Sequence, residues 1–158
     1  VAENAGVTDV EMIIFVGGQG AGKSTFYRER FFNTHVRVSL DMLKTRNRER
    51  KLIRACLDMQ QRFVVDNTNP TIEDRRRYFD LVNGLNVRVL GIFFEATLDE
   101  LLKRNAQRAG KEIVPEIGVR GTFKKLERLS PSEGFDEIFQ VSLLQNREFN
   151  MVRLHDEV

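Results

Sequence analysis

The sequence predicts an α/β fold, a mainly parallel β-sheet with helices covering both faces. Three observations predict it. Short apolar runs without polar alternation, EMIIFV (11–16) first among them, read as strands buried on both sides. Helical patterns separate these strands along the chain. A glycine-rich loop, GGQGAGKS (17–24), joins the first strand to the first helix. The chain has 158 residues, 41% hydrophobic and 30% charged, the size and balance of one globular domain.

Residues 1–10 are polar at the start and read as an arm or linker; residues 11–158 form the domain. After the first strand a helix opens at Lys23 and runs to about Phe32, and VRVSL (36–40) is a second strand. Residues 41–61 read as one helix with Leu52, Ile53, Cys56, Leu57 and Met59 on its apolar face. RFVVD (62–66) is a third strand, and a helix over 71–83 follows Pro70 and stops near Asn83-Gly84. NVRVLGIFF (86–94) is the fourth strand. Thr97 and Glu100 form a capping box for a helix reaching Arg108. A helix over 115–129 follows Pro115; IFQVSL (138–143) and FNMVRL (149–154) are the last strands. In such sheets ligands bind at the carboxyl ends of the strands.

Composition narrows the setting. The single cysteine, Cys56, allows no internal disulfide and reads as a small buried hydrophobe, which suits a reduced interior. No apolar run approaches membrane-spanning length and no secretory signal is visible. The expected location is therefore cytoplasmic, or nuclear in a eukaryote, without a membrane partner. The chain begins VAENAG, without methionine, and reads as a piece of a longer protein. Its net charge is +2, but residues 28–54 hold nine basic and three acidic residues, net +6, leaving −4 elsewhere. One basic segment on a balanced domain is a polyanion footprint; a solvated helix face would look the same. His35 and His155 lack metal-pair spacing, and the 12 phenylalanines read as core.

The loop satisfies G-x-x-x-x-G-K-[ST] through Gly17, Gly22, Lys23 and Ser24. Its glycines let successive backbone N–H groups turn inward onto phosphate oxygens, and the helix after it adds a positive N-terminal end. Lys23 supplies a mobile charge to the β- and γ-phosphates and Ser24 a hydroxyl to Mg²⁺. Gly20, Ala21, Gly22, Lys23, Ser24 and Thr25 are thus the nucleotide-binding candidates, with ATP or another NTP and Mg²⁺ as the expected cofactors. The fold is a P-loop NTPase.

Three features point from triphosphate binding toward phosphoryl transfer. Asp41 follows the second strand, where a carboxylate can take a proton from an acceptor hydroxyl; an N-cap is the competing reading. Asp66 ends the third strand, where a carboxylate faces the Mg²⁺ shell, directly or through water, and Asn67, Thr68 and Asn69 add polar groups at the crevice mouth. A turn before a helix explains only Asn69-Pro70. Arg104 and Arg108, four apart on one helical face, can clamp the transferring phosphoryl group as a lid. A solvated helix end is the alternative.

GGQGAGKST, VSLDML, VVDNTNP and LLKRNAQR, in this order and with the later PSEGFDEI, resemble the polynucleotide 5′-hydroxyl kinase family over about residues 13–141. The similarity is to kinase domains of polynucleotide kinase-phosphatases and bacterial RNA end-healing enzymes. It implies an adenylate-kinase-like three-layer α/β/α fold with a helical lid and a 5′-OH end of DNA or RNA as acceptor. It also implies a phosphatase or ligase module in the full-length protein. Lys23 becomes the phosphate lysine, Ser24 the magnesium ligand, Asp41 the general base, and Arg108 with Arg104 the lid arginines. Lys44, Asp66, Asn67, Thr68 and Asn69 fall near the acceptor. Several family members carry an arginine where this chain has Lys44, which binds a phosphate but not bidentately.

Two other readings remain open on the residues. The same elements would serve a P-loop kinase of a small hydroxylated metabolite or nucleotide sugar, with a closed pocket beside Asp41. A switch or structural NTPase without an acceptor is the third, though neither Asn-Lys-x-Asp nor Asp-x-x-Gly is found where a switch would carry it. Arg75, Arg76 and Arg77 read as acceptor contacts or as decoration of a helix start.

Overall fold

The computed structural model describes residues 10–154, so residues 1–9 of the expected arm and His155 lie outside the described residues. A six-stranded sheet in the order β2-β3-β1-β4-β5-β6 forms the centre. Its strands are β1 (Glu11–Val16), β2 (Val36–Val38), β3 (Phe63–Val65), β4 (Arg88–Glu95), β5 (Glu137–Leu143) and β6 (Phe149–Leu154). All neighbours run parallel except β5 and β6, which form an antiparallel hairpin. The strand order reverses around β1, which lies between β3 and β4. The crevice at its carboxyl end is the topological switch point of such a sheet.

The two-residue period of β1 divides the interior into two cores. Met12, Ile14 and Val16 pack with Val38, Ile53, Cys56, Phe63, Val65 and Tyr78 on one face. Ile13 and Phe15 pack with Phe26, Tyr27, Leu101 and Val119 on the other. The first face carries α3 (Arg46–Asp58) and α4 (Ile72–Val82); the second carries α1 (Lys23–Arg30), α5 (Leu98–Ala106) and α6 (Glu116–Lys125). The expected three-layer arrangement is present. Phe31 joins the rings of Phe15 and Phe26, whereas Phe32 is exposed. Cys56 is buried, which pushes its thiol up and leaves it inert.

Three helical expectations are corrected. The helix expected over 41–61 is two, a single-turn α2 (Leu40–Leu43) and then α3. They are separated by Lys44, whose φ of 73° ends α2, and by Thr45, whose hydroxyl accepts from Arg48 N and caps α3. The helix expected to reach Arg108 stops at Ala106, so Arg104 and Arg108 do not share a helical face. Thr97 does cap α5 through Glu100 N, but the Glu100 carboxylate turns to Arg104 instead of back to the cap. The helix expected over 115–129 ends at Lys125, and a separate 3₁₀ turn, Pro131–Glu133, follows.

Buried polar residues fix the frame. Arg75 is fully buried and meets the Glu133 carboxylate with two bonds, 2.8 Å from Nε and 3.1 Å from Nη2. It also donates to the Asn69 carbonyl. Arg75 is therefore neither an acceptor contact nor surface decoration. His35, buried, places Nε2 2.9 Å from Glu11, and that bond holds the Glu11 carboxyl below its usual range. No helix among the described residues is long and apolar enough to cross a membrane.

Candidate active site

The glycine-rich loop sits at the switch point. Gly20 and Gly22 have φ of 87° and 94°, a region that L side chains rarely adopt. Space adds a second reason: a Cβ on Gly20 would come within 2.8 Å of the Leu101 carbonyl, because α5 packs directly on the loop. Gly17 N donates to the Thr68 carbonyl at 3.0 Å, and Gln19 Nε2 to Thr122 at 3.0 Å. The loop is thereby tied to the strand-end segment 66–69 and to α6. Gly22 directly precedes α1, whose first N–H groups face the same crevice.

Lys23 folds back over this loop. Its Nζ donates to the carbonyls of Gly17 at 3.0 Å and Gly18 at 2.8 Å. Loss of water around the ammonium pulls its pKa down to about 8; Asp66 and Asp41 oppose the fall and the Arg108 charge adds to it. The charges of Asp41, Asp66 and Arg108, taken from three separate strings of sequence, are thus all felt at Lys23. The Thr25 side chain is exposed and accepts from Arg28.

Ser24 Oγ donates to Asp66 Oδ2 at 3.1 Å, and Asp66 is almost wholly buried. A hydroxyl and a carboxylate oxygen this close are hard donors that fit Mg²⁺, with the remaining ligands left to phosphate and water. No group of three or more His, Cys, Asp or Glu placed to hold a metal occurs among the described residues. Sequence reasoning missed the next member of the cluster. Arg37, on β2, donates from Nε to Asp66 Oδ2 at 2.8 Å and from Nη2 to Ser24 Oγ at 3.0 Å. The V-R-V alternation at 36–38 was its signal, since it points Arg37 opposite to its neighbours.

The string Asp66–Asn69 divides its labour. Asn67 Oδ1 accepts from Leu40 N at 2.9 Å, and Nδ2 donates to Glu49 Oε2 at 2.8 Å and to the Tyr78 hydroxyl at 3.2 Å. Glu49 and Tyr78 are buried, and Tyr78 also donates to Glu49 at 3.0 Å. Burial, with the Glu49 charge beside it, pushes the Tyr78 phenol up to about 12. This network supports the start of α2. Asn69 is corrected as a crevice residue: it is buried, has φ of 45°, and its Nδ2 donates to the Phe15 carbonyl at 2.9 Å. It braces the end of β1 from behind.

Asp41 lies in the first turn of α2, exposed. Ser39, not Asp41, is the N-cap of α2, and Thr45 caps α3, so the capping explanation of Asp41 fails. Lys44 is exposed at the same turn. On the opposite wall Arg104 pairs with Glu100 at 3.0 Å, while its Nη1 is buried without a hydrogen-bond partner. An orphaned guanidinium N–H beside a phosphate loop fits an anion. Arg108 follows the end of α5, and Asn105 holds the segment beyond it by bonds to Val114 O at 2.7 Å and from Val114 N at 3.0 Å. A cavity of about 450 Å³ lies at the end of β4, bounded by Phe94, Glu95, Thr97, Leu101, Phe123 and Arg128.

The AAA domain family profile matches residues 43–129, more than half of the chain. This chain belongs to the AAA domain family. Its P-loop, at 17–24, lies upstream of the matched span. This chain is 27% identical over 136 residues to the bifunctional polynucleotide phosphatase/kinase of Schizosaccharomyces pombe, covering 83% of this chain and 33% of that protein. It is 32% identical over 94 residues to a putative bifunctional polynucleotide phosphatase/kinase of Acanthamoeba polyphaga mimivirus, covering 59% of this chain and 22% of that protein. The chain thus spans a third or less of the length of these relatives. Its fold matches the crystal structure of a fungal RNA kinase with a TM-score of 0.69 and 18% identity, over 86% of this chain and 76% of the other. The relatives carry the names that the motif series led to, and the domain has the P-loop kinase fold.

Proposed function

We propose that this domain transfers the γ-phosphate of ATP or another NTP to the 5′-OH end of DNA or RNA, with Asp41 as general base. The carrying observation is the placement of Asp41. Its exposed carboxylate sits on α2, whose first N–H, that of Leu40, is held by Asn67; it is electrostatically coupled to the P-loop lysine and lies open beside basic α3. An open surface suits the end of a polymer better than a closed small-molecule pocket would. The names of the curated relatives support the same acceptor.

In this reading the triphosphate settles on the loop N–H groups, and Lys23 exchanges its Gly17 and Gly18 carbonyls for phosphate oxygens. Ser24, and Asp66 through water, would hold Mg²⁺, which would supply charge neutralisation on the phosphates. Asp41 takes the proton of the 5′-OH as its oxygen bonds the γ-phosphorus; the bond to the β-phosphate oxygen breaks and the nucleoside diphosphate leaves. Arg104 and Arg108 stabilise charge on the transferring group. Lys44 contacts an acceptor phosphate, and Thr68 faces the acceptor end. The domain is one part, residues 11–158, of a longer end-healing protein with a phosphatase or ligase module. It works in the cytoplasm or nucleus.

The test is transfer of labelled γ-phosphate from ATP to a short 5′-OH oligonucleotide. Asp41→Ala is expected to lose about 10²–10⁴-fold in transfer, the range of general-base catalysis, while ATP binding persists. Active protein that labels no DNA or RNA end would refute the proposal.

A further inference from the structure

The Ser24–Asp66 oxygen pair already has a cation on it. Arg37 reaches across from β2 and bonds both oxygens at once, Nε at 2.8 Å on Asp66 Oδ2 and Nη2 at 3.0 Å on Ser24 Oγ. The three groups close a ring, since Ser24 Oγ itself donates to the same Oδ2 at 3.1 Å. The Asp66 side chain is 2% exposed and that of Arg37 29%. A buried carboxylate needs a counter-charge, because leaving it unpaired is strongly destabilising. Here the protein supplies that charge itself.

We infer that Arg37 is a positioning residue that serves as the resident counter-ion of the metal shell. It holds Ser24 and Asp66 in place and keeps free divalent cations out, so that metal enters only together with the triphosphate. This rests on the proposed role of Ser24 and Asp66 toward Mg²⁺. The physical argument is electrostatic. Asp66, the buried carboxylate at the loop, is neutralised by a guanidinium, so a lone Mg²⁺ would meet a cluster of no net charge, with Lys23 nearby. A metal that arrives on phosphate oxygens brings its own negative partners and needs only the Ser24 hydroxyl, with Asp66 reached through water. Arg37 therefore sets the order of binding and leaves the chemistry of transfer to other groups. A lysine would carry the same charge, but its single ammonium cannot fork across the two oxygens.

The test uses Mn²⁺ as the probe, read by electron paramagnetic resonance, with no acceptor present. Nucleotide-free wild type is expected to show no Mn²⁺ binding tighter than roughly millimolar, and at least tenfold tighter binding once ADP is added. Arg37→Gln should bind Mn²⁺ at least about tenfold more tightly than wild type without nucleotide, since a unit charge a few ångströms from a divalent ion is worth that much even in bulk water. Arg37→Lys should exclude the metal like wild type, yet melt at lower temperature because the fork is lost. Tight Mn²⁺ binding to nucleotide-free wild type would overturn the inference, and so would equal Mn²⁺ affinity of Arg37→Gln and wild type. The wild-type measurement stands even if Arg37→Gln does not fold. None of these readouts depends on which hydroxyl is phosphorylated, so failure of the acceptor assignment would show separately, in the transfer assay.

Discussion

Lys23 ties ATP binding to pH. Its pKa in the free domain is drawn down to about 8, chiefly by desolvation, and phosphate oxygens would restore the charged form. The sign follows from protons. Below about pH 8 the free ammonium is already charged and binding takes up no proton; above it, binding must take one up, so affinity falls. ATP affinity should be level from pH 6.5 to 7.5 and weaken up to about tenfold per pH unit above 8, with calorimetry in buffers of different ionisation enthalpy showing uptake of close to one proton at pH 9. A flat profile to pH 9.5 would contradict the depressed value. Arg75 makes the contrasting case. Its guanidinium is fully buried on Glu133, with no route to a substrate. Glu133→Ala should therefore lower unfolding free energy by about 3–5 kcal/mol, the cost of orphaning a buried charge, with the KM values of the folded fraction unchanged in kinetic assays. Sequence reading could not separate Arg75 from Arg76 and Arg77, because the partner that decides its burial lies 58 positions away. Lys23 and Ser24 were legible because the phosphate loop is local, its glycines and helix start falling within one short string.

At the scale of elements, α2 is the piece that places Asp41, and it is held rather than self-stable. One turn of helix has no independent stability. Its first N–H is taken by Asn67, and Asn67 is in turn fixed by buried Glu49 and Tyr78. Asn67→Ala should free the start of α2 and leave Glu49 short of a donor, costing about 1–3 kcal/mol of stability. Its diagnostic effect is a fall in kcat with little change in the KM for ATP, read in steady-state kinetics. Loss of ATP binding instead would mean that Asn67 serves the phosphate loop. The strands and their order of appearance were legible from apolar runs, and so was the family-specific DNTNP string. Its division of labour was not. Asn67 and Asn69 look alike in sequence, yet one turns to α2 and the other to the back of β1. The break at Lys44 was also hidden, since helical periodicity continues through it and only a positive φ on a lysine marks the gap.

On the scale of the whole molecule, charge distribution bears on the proposed acceptor. Net charge is +2, but residues 28–54 carry +6, and α3 turns Arg48, Arg50, Lys51 and Arg54 outward. Its buried face is Glu49, Ile53 and Cys56. Lys44 extends the exposed basic surface to Asp41. Arg46 is not available in the same way, being engaged by Glu49 and Tyr78. A polymer entering at Asp41 would lay its next phosphates along this face, and each phosphate neutralised releases counter-ions. Affinity for a single-stranded acceptor should then fall with salt at a log–log slope of about −0.7 per phosphate contacted, or about −3 for four. The measurement is acceptor KM against salt, for a 5′-OH decanucleotide and for a dinucleotide, with saturating ATP. The dinucleotide lacks the downstream phosphates and should be nearly insensitive. Arg48→Glu with Lys51→Glu should raise the decanucleotide KM and flatten its slope by about 1.4, leaving the dinucleotide KM and the thermal midpoint unchanged, because both side chains are exposed. If the two acceptors respond alike to salt and to the double variant, α3 is only a solvated face, and recognition ends at the terminal nucleotide.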